Sequence, residues 1–204
     1  MKDISLNTIE RLIFYRRILL KLSIEGKTHI YSHEISNYIF NAAPQVRRDL
    51  MSIGCSATSR KGYNINNLIK KIGSAVDKNQ IQKIALIGVG NLGRAILSYF
   101  SKKHSGLSVE AAFDSDETKT NRVIANCKVY HISELKTLVK KKGITIGIIT
   151  VPAEFAQSTA DLLIEADIKA ILNFSPVSIN ITERIILDDL DITLILEKLA
   201  YRIN

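Results

Sequence analysis

Cysteine is nearly missing from this sequence: Cys55 and Cys127 are the two among 204 residues. Two thiols cannot build a disulfide framework, and neither falls in a metal-ligand spacing, so both read as ordinary thiols of a reducing compartment. No apolar run approaches the ~20 residues of a membrane span. The opening Met1-Lys2-Asp3-Ile4 lacks the apolar stretch of a secretory signal. The expectation is a cytoplasmic protein with no membrane partner. Histidine is scarce as well. His29 and His33 lie in the basic N-terminal region, His104 and His131 in later connections, and no Ser/His/Asp set or metal cluster accompanies them. The sequence offers no evident side-chain acid or base for catalysis.

What is present is charge, unevenly placed. Residues 1–80 carry 13 Lys and Arg against 6 Asp and Glu, a balance of +7, whereas residues 81–204 carry 15 against 14. Almost all of the net charge of +8 therefore sits in the first two-fifths of the chain. That asymmetry predicts a polyanion-binding module followed by a neutral one, with the boundary in the short polar stretch Asp77-Lys78-Asn79-Gln80.

The basic module has a helical pattern. Ile9, Leu12, Ile13, Leu19, Leu20 and Leu22 predict a first helix ended by Gly26, and Ser32 is the expected N-cap of a short second one. A turn at Asn41-Ala42-Ala43 leads to a third helix starting near Pro44 and ending before Gly54. This is a helix-turn-helix arrangement. On the third helix Val46 and Leu50 face the core, leaving Gln45, Arg47, Arg48 and Asp49 on the other sides. Gln and Arg bond base edges in the major groove, and Arg also neutralises phosphates. Thr58 to Ile65, turning at Gly62, fits the wing of a winged helix and brings Arg60 and Lys61 to a phosphate backbone. Gln45, Arg47, Arg48, Arg60 and Lys61 are the candidate contacts to double-stranded DNA.

The second module opens with a short apolar strand, Ile84 to Ile87, followed at once by Gly88-Val89-Gly90-Asn91-Leu92-Gly93-Arg94 and a helical run through Phe100. In such a Gly-x-Gly-x-x-Gly turn the first glycine permits the bend and the second lets the backbone approach a pyrophosphate. The third permits close helix–strand packing, while the helix N-terminus offers amides to the phosphates. A second strand ends in Asp114, about 20 residues further on, where a carboxylate accepts bonds from the adenosine ribose and repels a 2′-phosphate. Lys119 and Arg122 lie downstream and could soften that repulsion, but an acidic strand end decides it in favour of NAD(H) over NADP(H). The pattern predicts a Rossmann domain for NAD(H).

Alternation continues with an extended piece at Val129-Tyr130, a helix capped by Ser133, a buried strand from Ile144 to Val151, a helix from Pro152 to about Ala166, and a strand at Ala170 to Phe174. Ligands bind at strand carboxyl ends in such sheets, so Thr150, Val151, Pro152, Asn173, Phe174 and Pro176 are candidates for the nicotinamide side. The last segment, with Ile192, Leu194, Ile195, Leu196, Leu199 and Tyr201, is a helix too apolar to stand in water. Burial in a partner subunit by domain swapping is the expectation. The fold class predicted is α/β: a winged helix-turn-helix domain over 1–80, a Rossmann domain with a parallel sheet over 81–190, and a dimerisation helix over 191–204.

Taken together, these stretches resemble the Rex family of redox-sensing transcriptional repressors. The resemblance is carried by Arg11-Leu12 with Tyr15-Arg16, Gln45 to Asp49, Arg60 to Tyr63, Gly88 to Arg94 with Tyr99, Ala111 to Asp114, Val129 to His131, Thr150 to Glu154, Asn173 to Val177 and Asp191 to Thr193. It implies a homodimer that holds operator DNA with NAD+ or no ligand and leaves it when NADH binds. It also places Arg16, Tyr99 and Asp191 at the switch, Asp191 exchanging between Arg16 and Tyr99 of the partner. Many members have a Phe-Gly-Glu-Phe-Gly-like segment after the third helix, where this chain has Ile53 to Ala57, including Cys55. Thiol-based sensing at Cys55 is one alternative mechanism. An NAD-dependent oxidoreductase or a CoA-binding domain protein are alternative functions, and neither accounts for the basic first module.

Overall fold

Apolar residues at helical spacing become helices in the computed structural model, which describes residues 4–39, 42–56, 61–77, 81–101 and 106–203. The chain divides into two units, 1–79 and 80–204.

In the first unit α1 (Leu6–Ile24) starts at Ser5, whose hydroxyl accepts the Thr8 N–H, and stops before Gly26, which adopts φ +86°. β1 (His29–Ile30) follows, then α2 (Ser32–Asn37) and α3 (Ala43–Ser52). Ser32 is the first residue of α2 rather than its cap. The Glu34 carboxylate, held by Lys27 at 2.6 Å, reaches back to accept the Tyr31 N–H at 2.7 Å and so sets the start one residue earlier. At the end of α3, Gly54 takes a left-handed conformation while the Cys55 N–H returns to the Leu50 carbonyl, closing the helix as its glycine predicts. β2 (Tyr63–Asn64) pairs antiparallel with β1, and α4 (Ile65–Val76) completes the unit. β1 has no expectation in the sequence, because two residues are too few for any periodicity. Leu12, Leu19, Ile30, Leu50, Ile65 and Ile72 are fully buried and hold the helices together.

One polar group lies inside that unit. Asp49, expected on an outer side of α3, is 2% exposed. It faces α1, where the Arg11 guanidinium donates two bonds of 2.7 and 2.8 Å and the Tyr15 hydroxyl a third of 2.7 Å. The Gln45 carboxamide supplies a fourth donor at 2.8 Å. Burial alone raises a carboxyl pKa; here these donors outweigh it and hold Asp49 below the ordinary carboxylate range. Burial, aided by the same contact, pushes the Tyr15 hydroxyl well above its usual value.

The second unit is built on a seven-stranded sheet. β3 (Gln82–Ile87) leads through α5 (Asn91–Phe100) to β4 (Leu107–Asp114), and the hairpin β5 (Val123–Ile124) and β6 (Cys127–His131) follows. A short 3-10 turn at 132–134, rather than a cap at Ser133, opens α6 (Leu135–Lys142). Then come β7 (Ile146–Ile149), α7 (Ala153–Glu165), β8 (Ala170–Asn173), β9 (Ile186–Asp189) and α8 (Ile192–Ile203). Strand order is β5-β6-β4-β3-β7-β8-β9, parallel throughout except for β5. β9 is absent from the sequence reading: its residues Ile-Leu-Asp-Asp are mostly exposed at a sheet edge and give no apolar run. One face of the sheet, with Ile87, Phe113 and Ile149, packs against α6 and α7. The opposite face, with Leu86, Ala112 and Val129, packs against Leu97 of α5. α8 buries none of its residues. Among the described residues no helix is long and apolar enough to cross a membrane.

Replacing Asp49 tests the buried anchor. Asp49→Ala leaves Arg11 without its carboxylate, with the Thr8 hydroxyl as its remaining acceptor, and is expected to cost the first unit about 3 kcal/mol, measured by urea unfolding at neutral pH. Because the folded pKa is depressed, the wild-type contribution is complete above the ordinary carboxyl value near ~4 and drains away as pH falls through the lower folded value. The difference between wild type and Asp49→Ala should therefore shrink on acidification below ~pH 4; a gap that is constant with pH refutes the role assigned to the charge.

Candidate nucleotide cradle and recognition helix

β3 is flanked by β4 on one side and β7 on the other, so its carboxyl end is where the winding of the sheet reverses. The glycine turn sits there. Gly88 adopts φ +96°, and a Cβ on it would lie 2.7 Å from the Thr150 carbonyl oxygen. A Cβ on Gly93 would lie 2.1 Å from the Gly88 carbonyl oxygen. Both positions demand glycine for packing alone. Gly90 differs: it caps α5 with φ −80°, and a Cβ there meets nothing within 4 Å. No described residue requires glycine at that position, which lines the cavity at the start of α5, where the first amides have no acceptor within the helix.

Asp114 closes the turn from the other side. Its Oδ2 accepts the Val89 N–H at 2.7 Å and its Oδ1 accepts the Asp116 N–H at 2.9 Å. The Lys119 ammonium lies 3.5 Å from Asp114 and 3.4 Å from Asp116. Bonds from the Thr118 hydroxyl and N–H, followed by Lys119, hold the Asp116 carboxyl below its ordinary pKa. Thr150 places its hydroxyl 2.7 Å from the Gly88 carbonyl oxygen and 3.0 Å from that of Ile87, tying β7 to the turn.

A cavity of about 440 Å³ opens over these groups. It brings together Gly88, Gly90, Asp114, Thr150, Val151 and Pro152. Asn91, Leu92 and Arg94 stand exposed on the first turn of α5, beside it in sequence, while Val89 and Gly93 are buried. The remaining candidates lie elsewhere. Asn173 is fully buried and already committed: it donates to the Val177 carbonyl and to Asp189, each at 2.8 Å, and accepts the Ser175 N–H at 2.9 Å. Phe174 joins Tyr99 in a separate apolar groove of about 510 Å³ on the α5 face. Pro176 joins Asp191 in a third, of about 320 Å³. Conversely, the cavity draws on residues that the sequence reading passed over: Asp116, Ile132 and the α7 face made by Phe155, Ser158, Thr159 and Leu162. Their helical spacing after Pro152 was the available signal.

The first unit supplies the second candidate site. On α3, Gln45 is partly exposed and Arg47 and Arg48 are exposed. The Arg48 Nη2 donates to Gln45 Oε1 at 2.7 Å, and the Arg47 Nη1 lies 3.5 Å from the Ser32 hydroxyl. Lys61 is exposed at the start of the β2 segment, whereas Arg60 lies outside the described residues. Arg16 is paired with Asp77 at the end of α4, its Nη1 within 2.6 Å of both carboxylate oxygens. Both cysteines are buried. Desolvation raises the Cys55 thiol and pushes Cys127 up to about 11, so neither is the exposed thiolate that oxidant sensing requires.

The comparisons with known proteins follow the same division. Residues 3–50 match a family described as "Putative DNA-binding protein N-terminus", and residues 79–177 match "CoA binding domain". A redox-sensing transcriptional repressor Rex from Listeria welshimeri is 36% identical over 95% of this chain and 90% of its own. One from Bacillus cereus is 38% identical over 95% and 92%. Among solved structures, RSP, a Rex-family repressor, in complex with β-NAD+ and operator DNA superposes with a TM-score of 0.88 at 31% identity, covering 100% of this chain and 94% of that one. RSP with β-NADH gives 0.85 at 30% identity, over 100% and 96%. A likeness that spans both units, places a DNA-binding domain before a Rossmann-like one and holds at this identity shows that the chain belongs to the Rex family of redox-sensing transcriptional repressors.

Proposed function

We propose that this chain represses transcription in the cytoplasm by holding operator DNA through α3 and the segment around Lys61, and that NADH in the second unit releases it. The observation that carries the reading is the open space at Gly90. Two of the three glycines of the turn are explained by packing, and the one that is not borders both the cavity and the start of α5. A pyrophosphate set against those amides needs a backbone without a side chain. Asp114 and Asp116 then meet the adenosine ribose, and Val151 and Pro152, expected from the sequence on the nicotinamide side, join Phe155 as apolar surface for the adenine base. The cofactor's redox chemistry is not used. NADH and NAD+ differ in one charge and in the planarity of the nicotinamide ring, so release by one of them requires that the two conformations of the repressor contact that ring differently.

The assembly inferred is a homodimer. α8 exposes Ile192, Leu196, Leu199, Tyr201 and Ile203, each about half exposed or more, and the groove beside Tyr99 and Phe174 is apolar. Seating α8 on a partner subunit covers surface that water disfavours. The switch implied by the family places Asp191 against Arg16 in one state and against the partner's Tyr99 in the other. Arg16 is held by Asp77 in this chain, so that exchange has to displace an existing ion pair.

Three outcomes are expected. In a gel shift with duplexes from upstream regions of its own genome, NADH releases the protein while NAD+ and CoA leave it bound. A duplex that the protein holds equally well with NADH defeats the reading. Gly90→Ser, which keeps a good helix cap, is expected to fold with unchanged thermal stability and to lose NADH affinity on the order of tenfold by fluorescence titration, equivalent to ~1.4 kcal/mol. Undiminished affinity removes the role given to the cradle. Truncation before Asp191 is expected to convert the dimer to a monomer on gel filtration; a dimer that survives it argues against α8 as the link.

A further inference from the structure

We propose that Gln45 reads no base itself and is the positioning residue for Arg48. The inference rests on the DNA-binding reading above and concerns how α3 divides the work of recognition.

The two ends of the Gln45 carboxamide are fixed by chemistry. A carboxylate only accepts and a guanidinium only donates. The end 2.8 Å from Asp49 Oδ1 is therefore the NH2 group, and the end 2.7 Å from Arg48 Nη2 is the oxygen. Reading an adenine requires both ends at once, N–H to N7 and oxygen to the N6 amino group. Each end already holds one bond within the helix, and together the two bonds keep the carboxamide between Asp49 and Arg48. Turning Gln45 toward a base removes one of the donors from a carboxylate that is 2% exposed, where lost bonds are expensive.

Arg48 stands differently. Gln45 is the one hydrogen-bond partner of its guanidinium among the described residues, and the side chain is exposed. The other N–H donors of its fork have no acceptor among the described residues and are available for a bidentate bond to guanine O6 and N7. The fixing extends inward from Gln45 to Asp49, and from Asp49 to Arg11 and Tyr15 of α1. An arginine carries substantial rotamer entropy, and one already held loses less on binding. Arg48 thus stands at the outer end of a polar chain rooted in the core.

The experiment uses the full chain and duplexes selected by the wild-type protein from a random-sequence library. Binding is measured for wild type, Gln45→Met, Arg48→Ala and the double variant against the selected duplex and against a panel carrying each single base-pair change. Gln45→Met keeps the length of the stem, and thermal melting verifies that each variant is folded. Arg48→Ala is expected to erase discrimination, at least ~5-fold in wild type, at a specific base pair. Gln45→Met is expected to relax that same base pair, and the double variant to be no weaker than Arg48→Ala within ~2-fold. Relaxation at a different base pair shows that Gln45 reads its own base and overturns the proposal. So does uniform weakening across the panel, which marks a merely structural role, and so does an unchanged profile. Should wild type select no sequence at all, the repressor reading itself fails, an outcome separate from these.

Discussion

The second unit is organised by one steric constraint: the turn after β3 is packed so closely, Gly88 against the Thr150 backbone that follows β7 and Gly93 against the Gly88 carbonyl, that neither glycine has room for a methyl group. The Thr150 carbonyl lies where a Cβ on Gly88 would go, and the Thr150 hydroxyl faces the Gly88 carbonyl from the same side. Bringing two backbones this near leaves amides that must find acceptors. The Val89 N–H finds one in Asp114, at the end of the neighbouring strand. A single carboxylate thereby joins the turn to β4 and stands at the rim of the cavity.

The first unit depends on charge where the second depends on close backbone approach. A buried carboxylate is tolerable only when its lone pairs are filled, and Asp49 receives bonds from α1 and from its own helix. Apolar packing of Val46 and Leu50 holds α3 against the core but leaves it free to slide or rotate by small amounts. A hydrogen-bonded network permits one arrangement. On the proposed function that distinction matters, because the outer side of α3 then meets a groove whose base contacts depend on register. Asp49 links the core to the surface in a single helical turn.

The features legible in the sequence were those with local cause. Glycine spacing between a strand and a helix announced the β3–α5 turn, and Gly26 and Gly54 announced two helix ends because a left-handed residue favours glycine. The features that escaped depend on neighbours distant in sequence. Periodicity puts Val46 and Leu50 inside, and a polar residue between them reads as exposed; that Asp49 is buried follows only from Arg11 and Tyr15, more than 30 positions away on α1. β9 was invisible because an edge strand borrows its conformation from the β8 backbone rather than from its own side chains. Asn173 stands at a strand carboxyl end, where a ligand contact is the natural reading, yet its amide is consumed in holding the loop to Val177 and the side chain of Asp189. In the cavity the glycines were evident from their spacing, whereas Phe155, Ser158 and Leu162 mattered only once α7 was seen to form its wall.

The division of the candidate residues among three grooves bears on how a sensor tells two oxidation states apart. NADH and NAD+ share the adenosine and the pyrophosphate, so a cavity built from Gly90, Asp114 and Phe155 holds both alike. A ligand with equal affinity for two conformations shifts nothing, however tightly it binds, and a shift from 1:99 to 99:1 needs about 5.5 kcal/mol of differential affinity. On the reading proposed here the 440 Å³ cavity is an anchor common to both forms, and the discriminating energy has to come from the nicotinamide end. The residues near the β8 end of the sheet, Phe174 with Tyr99 and Pro176 with Asp191, lie in grooves that also meet exposed apolar surface or the start of α8. A ring that repacks there acts on the same surfaces a partner subunit would use. Linkage then requires the coupling to run both ways: whatever factor NADH imposes on operator affinity, operator DNA imposes on NADH affinity.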